Sequence, residues 1–239
     1  MFRMFYVIII STPFVLYYAW RVYSLERKTS YSETERYAVA RHMVAIMKVN
    51  GFIHTKAFGT ENLPEDGGYV MFANHQGKYD SLGIIHVHEK PCTILIDKHR
   101  SNLIFVTQFI MLLRGIRMDK TSPKSQVRSI LQVAEEVKAG RRYIVFPEGG
   151  YEQNKNHIQN FLPGAFKCAM KAKSPIVPVA LVDSYKVFNT RGLSLLPVTT
   201  QVHFLKPLFY EDYKDMNSQQ ISSLVHDRIE EKLLQVCGE

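Results

Sequence analysis

Cysteine is scarce in this 239-residue chain. The three cysteines, Cys92, Cys168 and Cys237, lie far apart and form no C-x-x-C pair. An odd number of widely spaced cysteines argues against a disulfide framework and against a cysteine-based zinc finger. We therefore expect free thiols in a reducing compartment.

Motifs that mark several common enzyme classes are absent. The sequence contains no G-x-S-x-G, no G-x-G-x-x-G, no G-x-x-x-x-G-K-[ST] and no H-E-x-x-H. The absence of these motifs argues against serine hydrolases with a G-x-S-x-G nucleophile turn, against enzymes with nucleotide-binding loops of these types and against zincin proteases. His86 and His88 form an H-x-H pair, but no acidic or cysteine partner follows at a ligand-like spacing, so we predict no metal site.

Acidic residues are fewer than basic ones, and the excess of basic residues is confined to the middle third of the chain. The chain has 30 Lys and Arg against 22 Asp and Glu, a net charge of +8. Residues 1–96 carry 10 basic and 8 acidic side chains, residues 97–173 carry 14 and 6, and residues 174–239 carry 6 and 8. The basic middle third predicts an anionic partner: a phosphorylated small molecule, a membrane surface, an acidic carrier protein or a nucleic acid. It lacks interleaved aromatics and any recognition motif, which disfavours nucleic acid, whereas a solvated basic face remains an alternative.

Long apolar runs are limited to one, Met4–Trp20, at the amino end. No small-residue cleavage site follows it, so residues 1–28 are predicted to be a retained membrane anchor. Seventeen residues are at the short limit for crossing a bilayer, and Pro13 is expected to interrupt the helix hydrogen bonding near the middle, so spanning and half-buried insertion both stay open. Arg21 and Arg27 favour a cytoplasmic position for the remainder of the chain. The alternative is a buried core helix.

An S-x-x-E capping box at Ser32 and Glu35 predicts a helix that runs to about Lys48, within a segment 29–50. Its apolar positions recur at helical spacing at Tyr37, Ala40, Val44 and Met47. This amphipathic helix can lie in the headgroup layer of a membrane or pack on the domain, and the sequence favours neither.

Five runs rich in β-branched and aromatic residues predict strands. They are Tyr69–Ala73, Thr93–Ile96, Tyr143–Phe146, Ile176–Leu181 and Thr200–Phe204. Helical patterns alternate with them, which is typical of an α/β fold. We therefore predict a largely parallel central sheet flanked by helices over residues 51–239, preceded by the membrane-associated helical segment.

Three helical patterns can be placed. The first begins at Ser122-Pro123, ends at Gly140, and has Ile130, Leu131, Ala134 and Val137 on one side. The last runs from Ser218 to Val236, with Ile221, Leu224, Val225, Ile229 and Leu233 as its stripe. The apolar run 103–113 is too short to span a bilayer and either is a core helix or lines a pocket for an aliphatic ligand.

The strongest chemical signal follows the strand Tyr69–Ala73. His75 and Asp80 lie five positions apart in the run NHQGKYD, and Gly77 between them allows a turn that can bring the two side chains together. A neutral imidazole can accept the proton of an attacking alcohol, and a carboxylate can fix its tautomer. The alternative is a histidine whose hydrogen bonds are satisfied in a turn.

A second cluster, PEGGY, follows the strand Tyr143–Phe146. Gly149 and Gly150 allow close approach of the backbone to a ligand, with N–H donors that suit an anion. The alternative is a simple turn.

Together these blocks resemble the glycerophospholipid acyltransferases of the 1-acylglycerol-3-phosphate acyltransferase type, the PlsC-like family. The resemblance covers residues 50–206 and is carried by FGTENLPEDGGYVMFANHQGKYDS, by the FPEGG run and by PIVPV at residues 175–179. The order and spacing of several blocks agree, which makes the resemblance more specific than any single motif.

The resemblance implies a catalytic pair, His75 as general base and Asp80 as the group that orients it. It also implies that Glu148 and Gly149 help to bind the acceptor and that Pro178 shapes the acyl site. Lys120 occupies the place of an arginine of the family, and Gly150 and Tyr151 stand where the family's F-P-E-G-T-R run has Thr and Arg.

The implied reaction transfers a fatty acyl group from acyl-CoA or acyl carrier protein to the sn-2 hydroxyl of 1-acylglycerol-3-phosphate, giving phosphatidic acid, without a cofactor or metal. The expected partners are a lysophospholipid acceptor, the acyl donor and a membrane surface, with the catalytic domain on the cytoplasmic side. Because position 151 lacks the arginine, another lysophospholipid is an alternative acceptor, and Lys98, Arg100, Arg117 and Lys155 are candidates to compensate. A non-catalytic, membrane-tethered lipid-binding protein and a hydrolase are further alternatives.

Overall fold

The computed structural model describes residues 2–27, 31–99, 101, 106–152, 154–188 and 195–238. Within this part of the chain the α-helices are α1 (Phe2–Arg27), α2 (Glu33–Asn50), α3 (Asp80–Val87), α4 (Val106–Leu112), α5 (Pro123–Lys138), α6 (Lys167–Ala172), α7 (Tyr210–Tyr213) and α8 (Ser218–Cys237). The strands are β1 (Ile53–Phe58), β2 (Val70–Ala73), β3 (Thr93–Asp97), β4 (Ile116–Met118), β5 (Tyr143–Val145), β6 (Ile176–Val182) and β7 (Val198–Phe204).

The seven strands form one sheet in the order β1-β7-β6-β2-β5-β3-β4. Strands β6, β2, β5, β3 and β4 are parallel, whereas β7 is antiparallel to β6 and pairs in parallel with β1. The predicted largely parallel sheet is therefore confirmed. β2 lies between β5 and β6, two strands that come much later in the chain. The order of the strands therefore changes direction at β2. Open α/β sheets form their binding sites at such a switch point.

Helices cover both faces of the sheet, so its central strands are buried on two sides. β2, β5 and β6 consist entirely of buried residues, which explains why they read as unbroken apolar runs rather than as alternating ones. Alternate residues of β2 enter different cores: Val70 and Phe72 pack on the side of α5, α6 and α8, and Met71 and Ala73 on the side of α2, α3 and α4.

Helix α5 shows why its predicted buried face was partly wrong. Ser122 caps the helix by accepting a hydrogen bond from the Ser125 N–H, and Gly140 follows the last turn with a φ of 97°. The buried face contains Val133, Ala134 and Val137, whereas Leu131 is exposed. The buried stripe is centred between Val133 and Ala134. Leu131 lies about a third of a turn away from that centre, so it faces solvent.

Two strands escaped the sequence analysis, each for a local reason. β1 is an edge strand whose residues beyond Ile53 are largely exposed, so it lacks an apolar pattern. β4 has three residues and lies at the opposite edge. Of the run 103–113, residues 103–105 lie outside the described part, while Ile110 and Leu112 are buried in the core and Met111 is exposed.

Helix α2 packs on the domain. Its predicted capping box is present: Ser32 accepts from the Glu35 N–H, and Glu35 accepts from the Ser32 N–H. The predicted apolar stripe enters the core through Tyr37, Ala40 and Val44. The domain, rather than a headgroup layer, therefore covers the apolar side of this helix.

Helix α1 is continuous through Pro13, so the loss of helix bonding expected at this residue does not end the helix. A proline inside a helix removes one N–H donor but leaves the neighbouring turns able to pair. One face, with Val7 and Ser11 buried, packs on the domain, and Ser11 accepts a hydrogen bond from Asn50 of α2 at 3.0 Å. Among the described residues, no helix is both long enough and apolar enough to span a bilayer.

Gly68, just before β2, provides a test of how closely the start of this strand packs against the segment that follows α5. A Cβ at this position would lie 2.1 Å from the Val137 carbonyl oxygen and 2.6 Å from that of Arg141. We expect Gly68→Ala to lower the free energy of unfolding by about 1–3 kcal/mol, because backbone atoms must shift. In the control, Gly164→Ala, the new methyl meets open space, and the change should stay within about 0.5 kcal/mol. Equal denaturation midpoints for the two variants would contradict this packing.

Candidate active site

The candidate site lies at the carboxyl edge of the parallel strands. His75 follows β2, Glu148 follows β5 and Ser184 follows β6, while Asp97 ends β3 and Lys120 comes shortly after β4. Because these five strands run in the same direction, the segments after them meet at one edge of the sheet.

Asn74 ties the end of β2 to its neighbour β6. Its side-chain amide donates to the Leu181 carbonyl at 3.1 Å, and its side-chain carbonyl accepts from the Leu181 N–H at 2.7 Å. The amide thus imitates a further pair of ladder hydrogen bonds beyond the last strand residue. This fixes the point at which His75 leaves the sheet.

His75 and Asp80 form the predicted pair. His75 Nδ1 lies 2.6 Å from Asp80 Oδ2, with the side chains 16% and 0% exposed. Asp80 is the first residue of α3, so the turn through Gly77 folds the carboxylate back onto the imidazole. Nδ1 is directed at the carboxylate, and Nε2 has no hydrogen bond to the described part of the chain. That second nitrogen is the atom that can accept a proton.

The buried Asp80 carboxylate is surrounded by donors. Oδ2 also accepts from the backbone N–H of Gln76 at 2.6 Å and of Gly77 at 2.9 Å, and Oδ1 accepts from the Ser184 hydroxyl. A buried carboxyl group needs such hydrogen bonds to be tolerated. The same bonds fix the direction in which Asp80 faces His75.

Aromatic rings hold the imidazole from two sides. His75 stacks on Phe146 with ring centroids 4.2 Å apart and planes 19° apart, and Tyr151 meets it edge-on at 4.5 Å. Both aromatic residues belong to the segment after β5, so this loop completes the surroundings of His75. The ring is therefore oriented by packing as well as by Asp80.

Glu148 lies behind His75. Its Oε1 accepts from the His75 N–H at 3.0 Å, and its Oε2 accepts from the Gln159 side chain at 2.9 Å. Burial raises the pKa of Glu148 to about 8, an effect that these hydrogen bonds only partly offset. At neutral pH the group is therefore mainly protonated.

Lys120 contacts the loop after β5. Its ammonium lies 3.3 Å from Asp97 Oδ2 and donates to the Gly149 carbonyl. Gly149 has a φ of 73°, a conformation that favours glycine, and a Cβ there would meet Leu162 at 2.8 Å. The structure thus brings Lys120 to Gly149, and the half-buried Gly150 comes directly after it.

Pro178 differs from the other predicted site residues because it lies inside the sheet, buried in β6 opposite Phe72. Its carbonyl accepts from the Leu205 N–H, so its nitrogen also faces β7. Leu205 lies opposite Pro178 in the register of β6 and β7, so the missing N–H leaves this pair with one hydrogen bond instead of two, at the end of the ladder. The predicted role of Pro178 in shaping an acyl site stays a prediction.

Several residues of the site were missed by the sequence analysis. Ser184 and Gln76 are the clearest cases: Gln76 Oε1 accepts from the Ser184 N–H and lies 3.0 Å from its hydroxyl, joining the His75 loop to the segment after β6. Gln159 and Phe146 support Glu148 and His75 in the same way. None of these contacts carries a spacing signal, because the partners come from different strands.

The other histidine pair does not resemble a metal site. His88 is buried, with Nε2 2.6 Å from the Tyr69 hydroxyl and Nδ1 2.7 Å from the Lys90 carbonyl oxygen, and burial lowers its pKa to about 4. Burial likewise lowers the pKa of His86 to about 4, and Lys48 and Arg41 add to this effect. His88 therefore serves as a neutral core residue.

The candidate compensating cations are only partly described. Lys98 and Lys155 are exposed, and Arg117 donates to the Ser101 carbonyl at 3.4 Å. Arg100 lies outside the described residues. None of the three described side chains hydrogen-bonds to His75 or Gly149, so their compensating role stays a prediction.

The raised pKa of Glu148 predicts a pH-dependent stability. Between pH 4.5 and about 8 the native protein keeps a proton that the unfolded chain releases, so raising the pH through this window weakens the folded state. We expect Glu148→Gln to remove this contribution, which has a limiting slope of about 1.4 kcal/mol per pH unit. The free energy of unfolding, measured in urea from pH 5 to 9, should fall less steeply for the variant than for the wild type.

The control for this titration is Glu152→Gln, which removes the same charge from an exposed position nearby. Its pH profile should match that of the wild type. Parallel profiles for all three proteins would show that Glu148 does not hold its proton in this window.

Comparison of this chain with known proteins identifies similar sequences. The profile of the family described as Acyltransferase matches residues 54–182, more than half of the chain. The chain is 28% identical over 211 residues to the 1-acyl-sn-glycerol-3-phosphate acyltransferase of Saccharomyces cerevisiae, covering 84% of this chain and 67% of that protein. It is 26% identical over 178 residues to the enzyme of the same name from Borreliella burgdorferi, covering 73% and 70%.

A solved structure agrees with the fold. The crystal structure of the 1-acyl-sn-glycerophosphate (LPA) acyltransferase, PlsC, from Thermotoga maritima superposes with a TM-score of 0.81 at 18% identity, covering 99% of this chain and 95% of that one. At this identity the likeness concerns the fold. The family profile, which matches more than half of the chain, shows that the chain belongs to the family described as Acyltransferase.

Proposed function

We propose that the chain transfers a fatty acyl group from a thioester, acyl-CoA or acyl carrier protein, to the sn-2 hydroxyl of 1-acylglycerol-3-phosphate, giving phosphatidic acid. The observation that carries the proposal is the 2.6 Å contact of His75 Nδ1 with a buried Asp80 carboxylate, which leaves Nε2 available as a base. The names of the yeast and Borreliella relatives support the choice of acceptor.

The chemistry begins with the acceptor hydroxyl held against His75 Nε2. As the oxygen attacks the thioester carbonyl carbon, its proton passes to Nε2, and Asp80 stabilises the imidazolium that forms. The tetrahedral intermediate then collapses, the carbon–sulfur bond breaks, and the departing thiolate takes the proton from Nε2. The ester is formed and the imidazole is neutral again, so no cofactor is required.

Direct transfer is favoured over an acyl-cysteine intermediate. Cys92 and Cys168 are fully buried, and burial raises the pKa of each thiol to about 12. The thiolate, not the thiol, is the nucleophile. Cys92 lies 3.2 Å from the Tyr37 hydroxyl, and Cys168 donates to the Ala165 carbonyl, so neither is paired with a histidine.

Binding of the acceptor is assigned to the loop after β5. The ammonium of Lys120 has three N–H donors, of which Asp97 and the Gly149 carbonyl take two, so one is left for a phosphate oxygen. The backbone of Gly149 and Gly150 can approach the ligand closely. Glu148 has lone pairs beyond those that receive His75 and Gln159, and a glycerol hydroxyl can donate to them.

A second acceptor class is a lysophospholipid with another head group. The observation that favours it is Tyr151, which packs edge-on against His75 at a position where the family carries an arginine. An aromatic ring offers no charge to a phosphate monoester. The two acceptors differ in that charge, so a panel of acceptors separates them.

The enzyme is further proposed to work at a membrane surface, with its catalytic domain on the cytoplasmic side. Helix α1 leaves a row of large apolar side chains exposed: Phe5, Ile9, Ile10, Phe14, Leu16, Tyr17 and Trp20. An apolar helix face of this kind can be buried at the boundary between headgroups and acyl chains. Both the acceptor and the product are lipids, so attachment would shorten their path to His75.

A purified-protein assay tests the reaction. We expect His75→Ala to lower kcat by about 100- to 10,000-fold, the usual contribution of a general base, without loss of fold by circular dichroism. The measurement follows new diacyl lipid and free fatty acid over a panel of lysolipids and both donor types. His54→Ala, at an exposed position of β1, is the matched control and should keep full activity.

The outcomes separate the candidate functions. Transfer that survives in His75→Ala would exclude the general-base mechanism. Free fatty acid without diacyl lipid would identify a hydrolase, and absence of both products in the wild type would favour a lipid-binding protein. A preference for lysolipids without a phosphate monoester would support the second acceptor class.

Trp20 reports on membrane attachment, because it is the only tryptophan and is 70% exposed. We expect its emission to shift to the blue when phosphatidylglycerol-containing vesicles are added. Replacing Ile9 and Leu16 by serine should weaken vesicle binding at least about 10-fold, since each buried apolar side chain contributes about 1.5–3 kcal/mol. Leu234→Ser, on the exposed face of α8, is the control. An unchanged emission maximum in the wild type would contradict attachment through α1.

A further inference from the structure

The two oxygens of the Asp80 carboxyl group have different sets of donors. Oδ2 accepts from the backbone N–H groups of Gln76 and Gly77 and lies 2.6 Å from His75 Nδ1. Oδ1 accepts from the Ser184 hydroxyl, the one donor to this oxygen among the described residues. Ser184 comes 104 positions later in the chain and is 3% exposed. Because it is buried, its hydroxyl can affect a reaction at His75 only through Asp80.

The surroundings of Asp80 Oδ2 are crowded. Three donors lie around this oxygen, which has about two lone pairs to offer. Rotation about the Cβ–Cγ bond decides which donors are aligned, because this torsion has a broad minimum. A hydrogen bond to Oδ1 sets the plane of the carboxyl group. The Ser184 hydroxyl therefore determines how well Oδ2 faces His75 Nδ1.

Gln76, the residue after His75, holds Ser184 in place. The Ser184 hydroxyl lies 3.0 Å from Gln76 Oε1, but that oxygen already accepts from the Ser184 N–H at 3.1 Å, so the single hydroxyl proton goes to Asp80. Gln76 Nε2 donates to the Leu181 carbonyl at 2.7 Å. Since both ends of its amide are bonded, Gln76 is held in one orientation.

Asn156, in the loop after β5, joins Gln76 to the turn that contains Ser184. Its side-chain carbonyl accepts from Gln76 Nε2 at 3.0 Å and from the Asp183 N–H at 2.9 Å, and its amide donates to Asp183 Oδ1 at 3.0 Å. Asp183 has a φ of 61°, a left-handed conformation that residues other than glycine seldom adopt. The bonds from Asn156 stabilise this turn, which directs Ser184 to Asp80.

We propose that Ser184 and Asn156 are positioning residues of the catalytic pair. Ser184 fixes the plane of the Asp80 carboxyl group, and Asn156 fixes the turn that presents Ser184. Together they keep the proton of the neutral imidazole on His75 Nδ1 and leave Nε2 as the base. Neither residue takes part in the proton transfer itself. The inference rests on the proposed function, because it assigns these residues a role in that reaction.

Substitutions of Ser184 separate kcat from KM. We expect Ser184→Ala to lower kcat for acyl transfer about tenfold, the effect of one lost hydrogen bond to a carboxyl group, with both KM values unchanged. Ser184→Thr, which keeps the hydroxyl, should retain most of kcat, and Ser184→Cys, a weaker donor, should lie between serine and alanine. The control is Ser222→Ala, which removes a similarly buried hydroxyl from α8 and should keep full kcat. A tenfold loss in the control as well would overturn the assignment.

A double-mutant cycle tests whether Asn156 acts through Ser184. We expect Asn156→Ala alone to lower kcat about fivefold, because the turn at Asp183 loses its support. Added to Ser184→Ala, it should lower kcat by less than about twofold, because the hydroxyl that it positions is already gone. Losses that multiply in the double variant would show that the two residues act independently and would refute the role of Asn156.

Proton NMR reports on His75 without catalysis. We expect a low-field signal from the Nδ1–H proton in the wild type, in Ser184→Thr and in Ser222→Ala, assigned by its absence in His75→Ala. In Ser184→Ala this signal should be lost, because a weaker hydrogen bond to Asp80 lets the proton exchange faster with water. Equal signals in wild type and Ser184→Ala, or no signal in the wild type, would overturn the inference.

The kinetic and NMR measurements separate this inference from the proposed function. Absence of acyl transfer in the wild type would refute the function, whereas the Nδ1–H signal would still report on Ser184. Normal kcat in Ser184→Ala would refute the inference and leave the function in place. If circular dichroism shows that Ser184→Ala is unfolded, Ser184→Cys and Asn156→Ala take its place in both measurements.

Discussion

The side chain of Asp80 has no exposed surface, so the hydrogen-bond donors around its carboxyl group must be in place whenever the protein is folded. Two of them are backbone N–H groups of the turn that begins at His75, and a third is the hydroxyl of Ser184 from the segment after β6. The turn alone cannot supply this set. The local turn brings Asp80 to His75, and the hydroxyl of Ser184, which reaches Asp80 because β2 and β6 lie side by side, completes the donors of the buried carboxylate.

This dependence explains why polar side chains, rather than apolar packing, join the strand ends. Asn74 extends the β2–β6 ladder by two hydrogen bonds to Leu181, and Gln76, two positions later, is joined to Ser184. Each amide provides both a donor and an acceptor, so it can replace a peptide group where the strand has ended. The buried amides leave few backbone groups unpaired at an edge that must stay open to substrate.

The sequence predicted the parts of the molecule whose signal is local. The buried strands, the capping box at Ser32 and the turn that pairs His75 with Asp80 each depend on residues close in the chain, and the family resemblance added the roles. Ser184 could not be found in this way, because it reaches Asp80 across more than a hundred residues and a single serine after a strand has no pattern. β1 was missed because most of its residues are exposed, so its sequence lacks the alternation of apolar and polar residues that predicts a strand.

Electrostatics at the catalytic edge depend on burial rather than on the number of charges. Burial raises the pKa of Glu148 to about 8, and the nearby Asp80 carboxylate adds to this effect. Near neutral pH Glu148 is therefore mainly protonated, and Asp97 is paired with Lys120. In the proposed reaction, the protonation of Glu148 lowers the repulsion of an acceptor that carries a phosphate. An ionised carboxylate behind His75 would disfavour the approach of such an acceptor to the imidazole.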